Sequence, residues 1–573
     1  MIAKATVMKR TAALLLALLM ALPLFACENA PGEDEDTGTE PVSVETDTET
    51  REDTESDSVT ETESETEEET VIMLEALSDV RAFLESITIF QLGSSYAVVN
   101  GERLDMGAAA IFDENALFPA DFVEERGLGV IAEEDIVEKD GIRYTKLNAF
   151  RNAGKNVKIL VGDKVIVSDS NYEVAEDIMD EYARRLDNMY AVGAVYSAAM
   201  TGSRPVLFET DEMLAEAKAK AEAKVEPWYS EWKKIESRAN NALLLAPNPN
   251  TGKSATQYRL AACKDFINAR YLALAYLYTE DAKYLDGAVK YLMTYAEPML
   301  GTDEYLDYSA ATTDGQADIG LNIAAPLTAA CDVYSLIYAD VSEDDKAVIE
   351  AWIRAEADLC VKGHKYWIDK NYYGEQYGNN HLSSHLMGII AAAYVLEDSE
   401  LLAYATNDKK NKADLCEMVT KAILVEGDKV YGADTDSDYV DGEIYDRYRS
   451  IQSNGFGYAM YHLKFMTHAG IMLYHNGVDI FSYIGENGEN LLLPFHTYAD
   501  YLIQNDITLG SGHYSNDKSL NRENAYSTYS IAYYVYKDAR IGEVLDAFVE
   551  QRVQCNEIEV LGISTPYLYA KQD

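Results

Sequence analysis

From residue 172 onward the chain keeps one texture: amphipathic runs at helical spacing, separated by short turns, with no strand signal between them. Such runs occupy 174–199, 211–240, 256–278, 282–295, 314–338, 342–361, 381–396, 399–424, 458–475, 491–504, 521–537 and 541–551. About a dozen helices joined by connections this short lie antiparallel to their neighbours, and each hides one face. The pattern therefore predicts a mainly α fold, an (α/α) barrel or toroid built from helical hairpins with a cleft across one rim. No repeat of fixed length marks the runs, which argues against a tetratricopeptide-type solenoid.

The stretch 87–170 reads differently. Ile87-Thr-Ile-Phe-Gln-Leu and Ser95-Tyr-Ala-Val-Val are short β-rich runs, and Asn100-Gly101 is a tight-turn signal. The runs at 157–161 and 164–167, around Gly162-Asp163, predict a second hairpin, and the residues from Phe118 to Glu125 a short helix. Three pieces, Ala97-Val-Val-Asn-Gly-Glu-Arg-Leu-Asp-Met106, Ala116-Leu-Phe-Pro-Ala-Asp-Phe-Val-Glu-Glu-Arg-Gly-Leu-Gly-Val130 and Lys164-Val-Ile-Val-Ser-Asp-Ser170, resemble the copper amine oxidase N-terminal-like domain, a small α+β module. The resemblance implies an accessory or spacing role and no copper, and the segment contains no histidine.

The first residues carry Lys4, Lys9 and Arg10 and then an apolar run over 12–22, too short to span a bilayer comfortably. The run closes on Leu24-Phe25-Ala26-Cys27, which matches a lipobox and predicts lipid on Cys27. Residues 28–70 hold nineteen acids against one base, Arg51, and almost nothing apolar. Such a segment has no core to form and repels itself, so it is expected to be a disordered spacer. No other apolar run looks long enough for a transmembrane helix. The expected organisation is thus a signal peptide over 1–26, a linker over 27–70, the α+β domain over 71–172, a connecting helix over 173–203 and the toroid over 204–573. The expected location is extracytoplasmic, tethered to a membrane through Cys27, at the cell surface or in the periplasm.

A formal net charge of −50 makes nucleic acid an improbable partner, because nonspecific binding needs a basic face. It also means that a polyanion can bind only where Arg and Lys cluster locally. Six cysteines are present; Cys27 apart, Cys263, Cys331, Cys360, Cys416 and Cys555 show no metal or redox spacing and are expected as buried core thiols. No cofactor and no metal is expected.

Two clusters carry chemistry. The first is Gly378-Asn379-Asn380-His381-Leu-Ser-Ser-His385. An Asn at a helix start suits an N-cap, which puts His381 in the first turn and His385 one turn on, along the same face. The histidine spacing admits a metal, but the Glu of a metalloprotease helix is absent. The second cluster is Asp441-Gly-Glu-Ile-Tyr-Asp-Arg447-Tyr-Arg449, followed by Gly455-Phe-Gly-Tyr458-Ala-Met-Tyr461-His462-Leu. With forty-two tyrosines in the chain, any single one is more often packing than chemistry, and only the combination informs. Eliminating across a uronate linkage requires a group that neutralises the carboxylate, a base for the C5 proton and an acid for the departing oxygen. Asn, Arg, His and Tyr between them can do all three.

The combination resembles the alginate lyase family of α/α-toroid polysaccharide lyases. The matching pieces are Asn380-His381 ahead of a small-residue helix, Asp-Gly-x-x-Tyr-Asp with its arginines, Tyr458-x-x-Tyr461-x-Leu running to Asn476-Gly477-Val478-Asp479, and the opening from Arg204. The resemblance implies that Asn380 neutralises the carboxylate with Arg449 assisting, Arg447 being the alternative arginine. It implies that His381 is base or a further neutraliser, and that Tyr458 is acid, or acid and base together. Softer substrate-binding candidates are Arg259, Arg270, Gln316, Asn379, His385, Arg447 and His513, with Tyr258 on the helix of Arg259 and Arg270, Asn322 on that of Gln316, Arg522 beside His513 on a loop expected to close over the cleft, and Trp228, Trp232, Trp352 and Trp367 as stacking platforms. The partner so implied is an anionic, uronate-containing polysaccharide. Two other readings stand beside it: a noncatalytic cell-surface glycan-binding lipoprotein on the same fold, and a glycoside hydrolase using two carboxylates.

Overall fold

The computed structural model describes residues 71–573 apart from 76–82, 85, 114, 161–163, 180–181, 184–185, 187–196, 250–253, 303–312, 371–377, 409–410, 427, 429–438, 447–453, 486, 510–516, 556–559 and 573. The signal peptide, Cys27 and the acidic linker lie outside the described residues.

The N-terminal part is β-rich. Strands β1 (Ile72–Leu74), β2 (Thr88–Gln91), β3 (Tyr96–Val99), β4 (Glu102–Asp105), β5 (Ile111–Asp113) and β6 (Asn115–Pro119) lead into helix α1 (Ala120–Glu125). Strands β7 (Ile136–Lys139) and β8 (Ile142–Lys146), helix α2 (Asn148–Asn152), then β9 (Asn156–Leu160), β10 (Lys164–Ser168) and β11 (Tyr172–Val174) complete it. One antiparallel sheet has the order β4-β3-β2-β10-β9 and a second β5-β6-β8-β7, while β1 pairs in parallel with β11. The β3–β4 hairpin turns through Asn100 (φ 52) and Gly101 (φ 74), the left-handed pair that a two-residue turn requires. Phe90, Phe118 and Phe150 meet at centroid separations of 4.8, 5.4 and 5.2 Å and form the centre of its core. The expected connecting helix over 173–203 falls partly on undescribed residues; near its start the chain makes a 3-10 turn, Glu176–Ile178.

The helical part opens with α3 (Asp211–Glu222) and α4 (Trp228–Leu243). The sequence pattern runs these together over 211–240, but the chain breaks at Lys224 (φ 58) and Pro227, whose ring supplies no N–H to a continuing helix. There follow α5 (Ala255–Thr279), α6 (Ala282–Ala296), α7 (Thr313–Ile337), α8 (Glu343–Lys370), α9 (Asn380–Val395), α10 (Ser399–Thr406) and α11 (Leu415–Ala422). The chain ends with α12 (Gly455–His475), α13 (Leu492–Gln504), α14 (Arg522–Tyr536), α15 (Ala539–Glu550) and the single turn α16 (Thr565–Leu568).

The packing alternates as an α/α toroid requires. Helices α5, α7, α9, α12 and α14 touch one another in that order and form an inner row, while α4, α6, α8, α10, α13 and α15 back it from outside. The inner row is the most enclosed part, and every residue of α9 is buried. At Gly388 a side-chain carbon would stand 3.1 Å from the backbone of Ala324, so glycine there lets α9 and α7 approach closely. The stretch Gly320–Asp340, mostly within α7, is long and apolar enough to cross a membrane, contrary to the sequence expectation of no such run, yet 94% of its most apolar window is buried in this core.

The row is curved shut by one buried ionic cluster. Arg270 of α5 is 1% exposed and pairs with Glu209 from the strap before α3 and with Asp332 of α7. Its Nε donates to Ser564 Oγ at 2.9 Å, just before α16, which packs on α3, α4 and α14. Beside it Tyr569 donates its hydroxyl to the Phe208 carbonyl, and the Ile563 N–H donates to the Tyr271 hydroxyl at 3.3 Å. The entry and exit strands of the domain thus meet on one guanidinium. Removing it strands two carboxylates in the core. Arg270→Leu should lower the unfolding free energy by about 3–5 kcal/mol in denaturant melts, whereas an exposed Lys264→Leu should move it by less than about 0.5 kcal/mol.

Candidate functional site

The start of α9 is built for a fixed backbone. Asn379 is its N-cap, and its Oδ1 accepts from the N–H groups of His381 (3.0 Å) and Leu382 (3.4 Å). Gly378 lies so close to the end of α11 that a side-chain carbon would stand 2.8 Å from the Ala422 nitrogen, so only glycine fits in the motif's first position. The segment after α11 returns to the same place. Ile423 and Ile444 form an antiparallel bridge, the Leu424 N–H donates to the Glu443 carbonyl at 2.8 Å and the Tyr445 N–H to the Ala422 carbonyl at 2.7 Å. Gly442 (φ 88) turns the chain against Leu493 and Thr497, where a side chain would clash. This strap carries Asp446 to the head of α9.

The Asp446 carboxylate is fully buried and its Oδ2 accepts twice, from the Asn380 N–H at 2.5 Å and from His462 Nδ1 at 2.9 Å. His462 is fully buried on α12, one turn beyond Tyr458. A residue at the head of α9 and one in the second turn of α12 are therefore tied to one atom. Tyr458, half-buried, sits one turn nearer the start of α12, about 6 Å along the axis. Asn380, His381 and Tyr458 thus occupy the beginnings of two neighbouring inner helices, at one rim of the toroid.

The start of α12 is capped from outside its own sequence. Asn454 is the N-cap residue but makes no side-chain cap bond. Instead the Phe456 N–H donates to Asp517 Oδ2 at 2.8 Å and the Gly457 N–H to Ser519 Oγ at 2.7 Å. Two orphan donors beside Tyr458 are thereby satisfied by the loop before α14. His381 is nearly buried, its ring against Trp367 with centroids 4.6 Å apart.

The remaining candidates divide clearly. Arg270 is a correction: its guanidinium is enclosed by Glu209, Asp332 and Ser564 and cannot reach a glycan. His385 is another, since it is fully buried behind His381, its ring 6.0 Å from that of His364, with burial holding it well below the ordinary histidine range. Asn379 spends its oxygen on the helix cap rather than on a substrate. Tyr258 is buried and donates to Glu356 Oε1 at 3.0 Å, and Asn322 is buried on α7. Arg522 begins α14 and lies over the Phe548 ring, 5.1 Å from its centroid, not on a loop over the cleft. The tryptophans are packing groups: Trp232 stacks on Tyr278 at 3.6 Å, Trp352 is wholly buried, and Trp228 and Trp367 are nearly so. Arg259 is half-buried in the first turns of α5. Arg447, Arg449 and His513, and the side chain of Gln316, lie outside the described residues. The five described cysteines are buried free thiols, as expected.

Residues 209–417 match the family described as alginate lyase. This segment is an alginate lyase family domain. The fold neighbours are remote. An alginate lyase from Bacteroides ovatus is 14% identical, with 65% of this chain and 100% of that one covered at a TM-score of 0.46. Alginate lyase A1-III from Sphingomonas species A1 is 10% identical, with 63% and 95% covered at 0.43. Likenesses at this level carry no argument, and the toroid rests on the helix packing described above. No curated protein matches the chain. The matched segment contains Asn380 and His381 but ends before Asp446, Tyr458 and His462. Asp446 and His462 were visible in the motif strings yet had no sequence signal for a role except one: His462 follows Tyr458 by four residues, the spacing that shares a helix face. Asp517 and Ser519 had none.

Behind the site, His364 shows how dry the layer between α8, α9 and α10 is. Its Nδ1 meets the Tyr404 hydroxyl at 2.7 Å and its Nε2 the Ala413 carbonyl at 2.9 Å, and burial pushes its pKa down from 6.5 to about 4. Because the folded value is depressed, the unfolded chain binds the proton first, and stability from this group falls as pH drops from 6.5 toward 4. The stability advantage of wild type over His364→Gln should therefore shrink by up to about 3 kcal/mol across that window, measured by urea melts at each pH.

Proposed function

We propose that the chain is a polysaccharide lyase that cleaves a uronate-containing polysaccharide by β-elimination. The observation that carries this is the convergence of Asn380-His381, inside the segment that matches the alginate lyase family, with Tyr458 at the starts of two inner helices tied together through Asp446.

In this reading the Asn380 amide hydrogen-bonds the substrate carboxylate, with Arg449 or Arg447 assisting, and so disperses the charge that builds as the C5 proton leaves. His381 takes that proton where proton and leaving oxygen lie on opposite faces; where they lie on the same face Tyr458 does so. The C5–H electron pair becomes the C4–C5 double bond, the C4–O bond breaks toward oxygen, and Tyr458 returns a proton to the departing glycosidic oxygen. No water is consumed. Asn380 and His381 are well suited to a fixed geometry, because the cap, the glycine before it and the Asp446 contact leave the head of α9 no freedom. The acidic bulk of the chain, at −50, favours a polymer engaged along a narrow cleft over one held by a broad basic surface.

The lipobox at Cys27 and the acidic stretch after it support an extracytoplasmic, membrane-tethered enzyme raised on a spacer. The β-rich segment, in which the copper amine oxidase N-terminal-like resemblance lies, fits an accessory role. Alginate, polymannuronate, polyguluronate, pectate, heparin, chondroitin and hyaluronan, each incubated with the protein, should include one that yields the ultraviolet absorbance of an unsaturated uronate. Tyr458→Phe should reduce that rate by at least about a hundredfold on any such polymer, and His381→Ala should do so where proton and leaving oxygen lie on opposite faces. Glycan binding without absorbance on every polymer would instead establish a binding protein on a lyase fold.

A further inference from the structure

The reaction as proposed uses Asn380, His381 and Tyr458 and leaves unexplained why a carboxylate and an imidazole are buried between them. Both are completely enclosed, and one oxygen, Asp446 Oδ2, makes both contacts. A buried ionised carboxylate has only acceptors, so both neighbours donate: the backbone N–H of Asn380 and the Nδ1–H of His462. That contact fixes the imidazole tautomer. The Nε2 of His462 has no hydrogen-bond partner among the described residues, so the ring is held from its Nδ1 side alone. Burying such a pair is a poor way to gain stability, since desolvation offsets most of the attraction. Its geometry is better suited to fixing a register.

We infer that Asp446 and His462 form a positioning pair for the elimination, an inference that rests on the lyase reading. His462 Nδ1–H fixes the carboxylate, the carboxylate fixes the first N–H of α9, and Asn380-His381 is thereby held at a set height against the turn of α12 that carries Tyr458. Neither residue touches substrate. The pair joins the group that neutralises the carboxylate to the helix that supplies the acid, across two elements that pack against each other. Errors of about 1 Å in such a register cost on the order of a hundredfold in rate while leaving binding nearly intact. The strap that delivers Asp446 is pinned by the Ile423–Ile444 bridge and by the Tyr498 hydroxyl, which accepts from the Ile444 N–H at 2.9 Å, so the carboxylate arrives already oriented.

The test compares His462→Asn with His462→Gln in the full chain. The Asn amide places its N–H₂ where Nδ1 stands, and the Gln amide places it where Nε2 stands, so only the first can still donate to Asp446. Thermal melts establish that both variants fold. On whichever uronate polymer wild type cleaves, His462→Gln should lose about 10- to 100-fold in kcat with KM within about twofold, and His462→Asn should stay within about threefold of wild type. Hydrogen exchange read at the Asn380 amide should be faster than wild type in His462→Gln and protected in His462→Asn. Equal kcat losses in the two variants, or a loss confined to KM, would overturn the positioning role. Should wild type cleave no polymer, the lyase reading fails by itself, and the exchange measurement still decides the lock: unchanged Asn380 protection in His462→Gln would overturn it.

Discussion

A single buried guanidinium ties the entry and the exit of the helical part together. An inner row of helices has two open ends, and nothing in helical periodicity brings them together. Arg270 does so by collecting Glu209 from the entry strap, Asp332 from the neighbouring inner helix and Ser564 from the exit strand. The enclosed charge demands partners on every side, and the partners come from parts of the chain some three hundred residues apart. Apolar residues in place of the whole cluster would pack as well but would not specify which segments meet, so the ion cluster trades stability for a defined closure.

With the ring closed, the site is a problem of helix starts. The proposed chemistry sits where α9 and α12 begin, the places where backbone N–H groups lack partners and chains are prone to fray. Both starts are satisfied by side chains brought from elsewhere: Asp446 for the head of α9, Asp517 and Ser519 for the head of α12. The same contacts that cap the helices set the distance between them. Glycines 378 and 442 are needed because these straps pass so close to neighbouring backbone that a side chain would clash. Stability of the helix ends and placement of the proposed reacting groups are one arrangement.

Much of this was legible beforehand, and the misses share a cause. Local patterns carried the helical pairs, the Asn100-Gly101 hairpin and the cap at Asn379, because each depends on residues within a turn or two of one another. The single run expected over 399–424 divides into α10 and α11, and the break had an unread signal in Asp414 and Glu417, a cap and its third-position acid, with Asp414 accepting from the Glu417 N–H at 2.9 Å. Arg270 looked like a glycan ligand because a sequence shows its charge and not the two carboxylates waiting in the core. His385 looked paired with His381 because they share a helix face, but that face turns from rim to core within one turn. Asp446 and His462 depend on contacts made only after folding, and no spacing rule reaches from one strap to two helices.

Elimination differs from hydrolysis by one water. A defined oligosaccharide of whichever uronate polymer the protein cleaves can be digested and its products weighed by mass spectrometry. Elimination gives two products whose masses sum to that of the substrate, one of them carrying an unsaturated uronate at its new non-reducing end, and this is the expected result. Products together heavier than the substrate by one water would contradict it and make the protein a hydrolase.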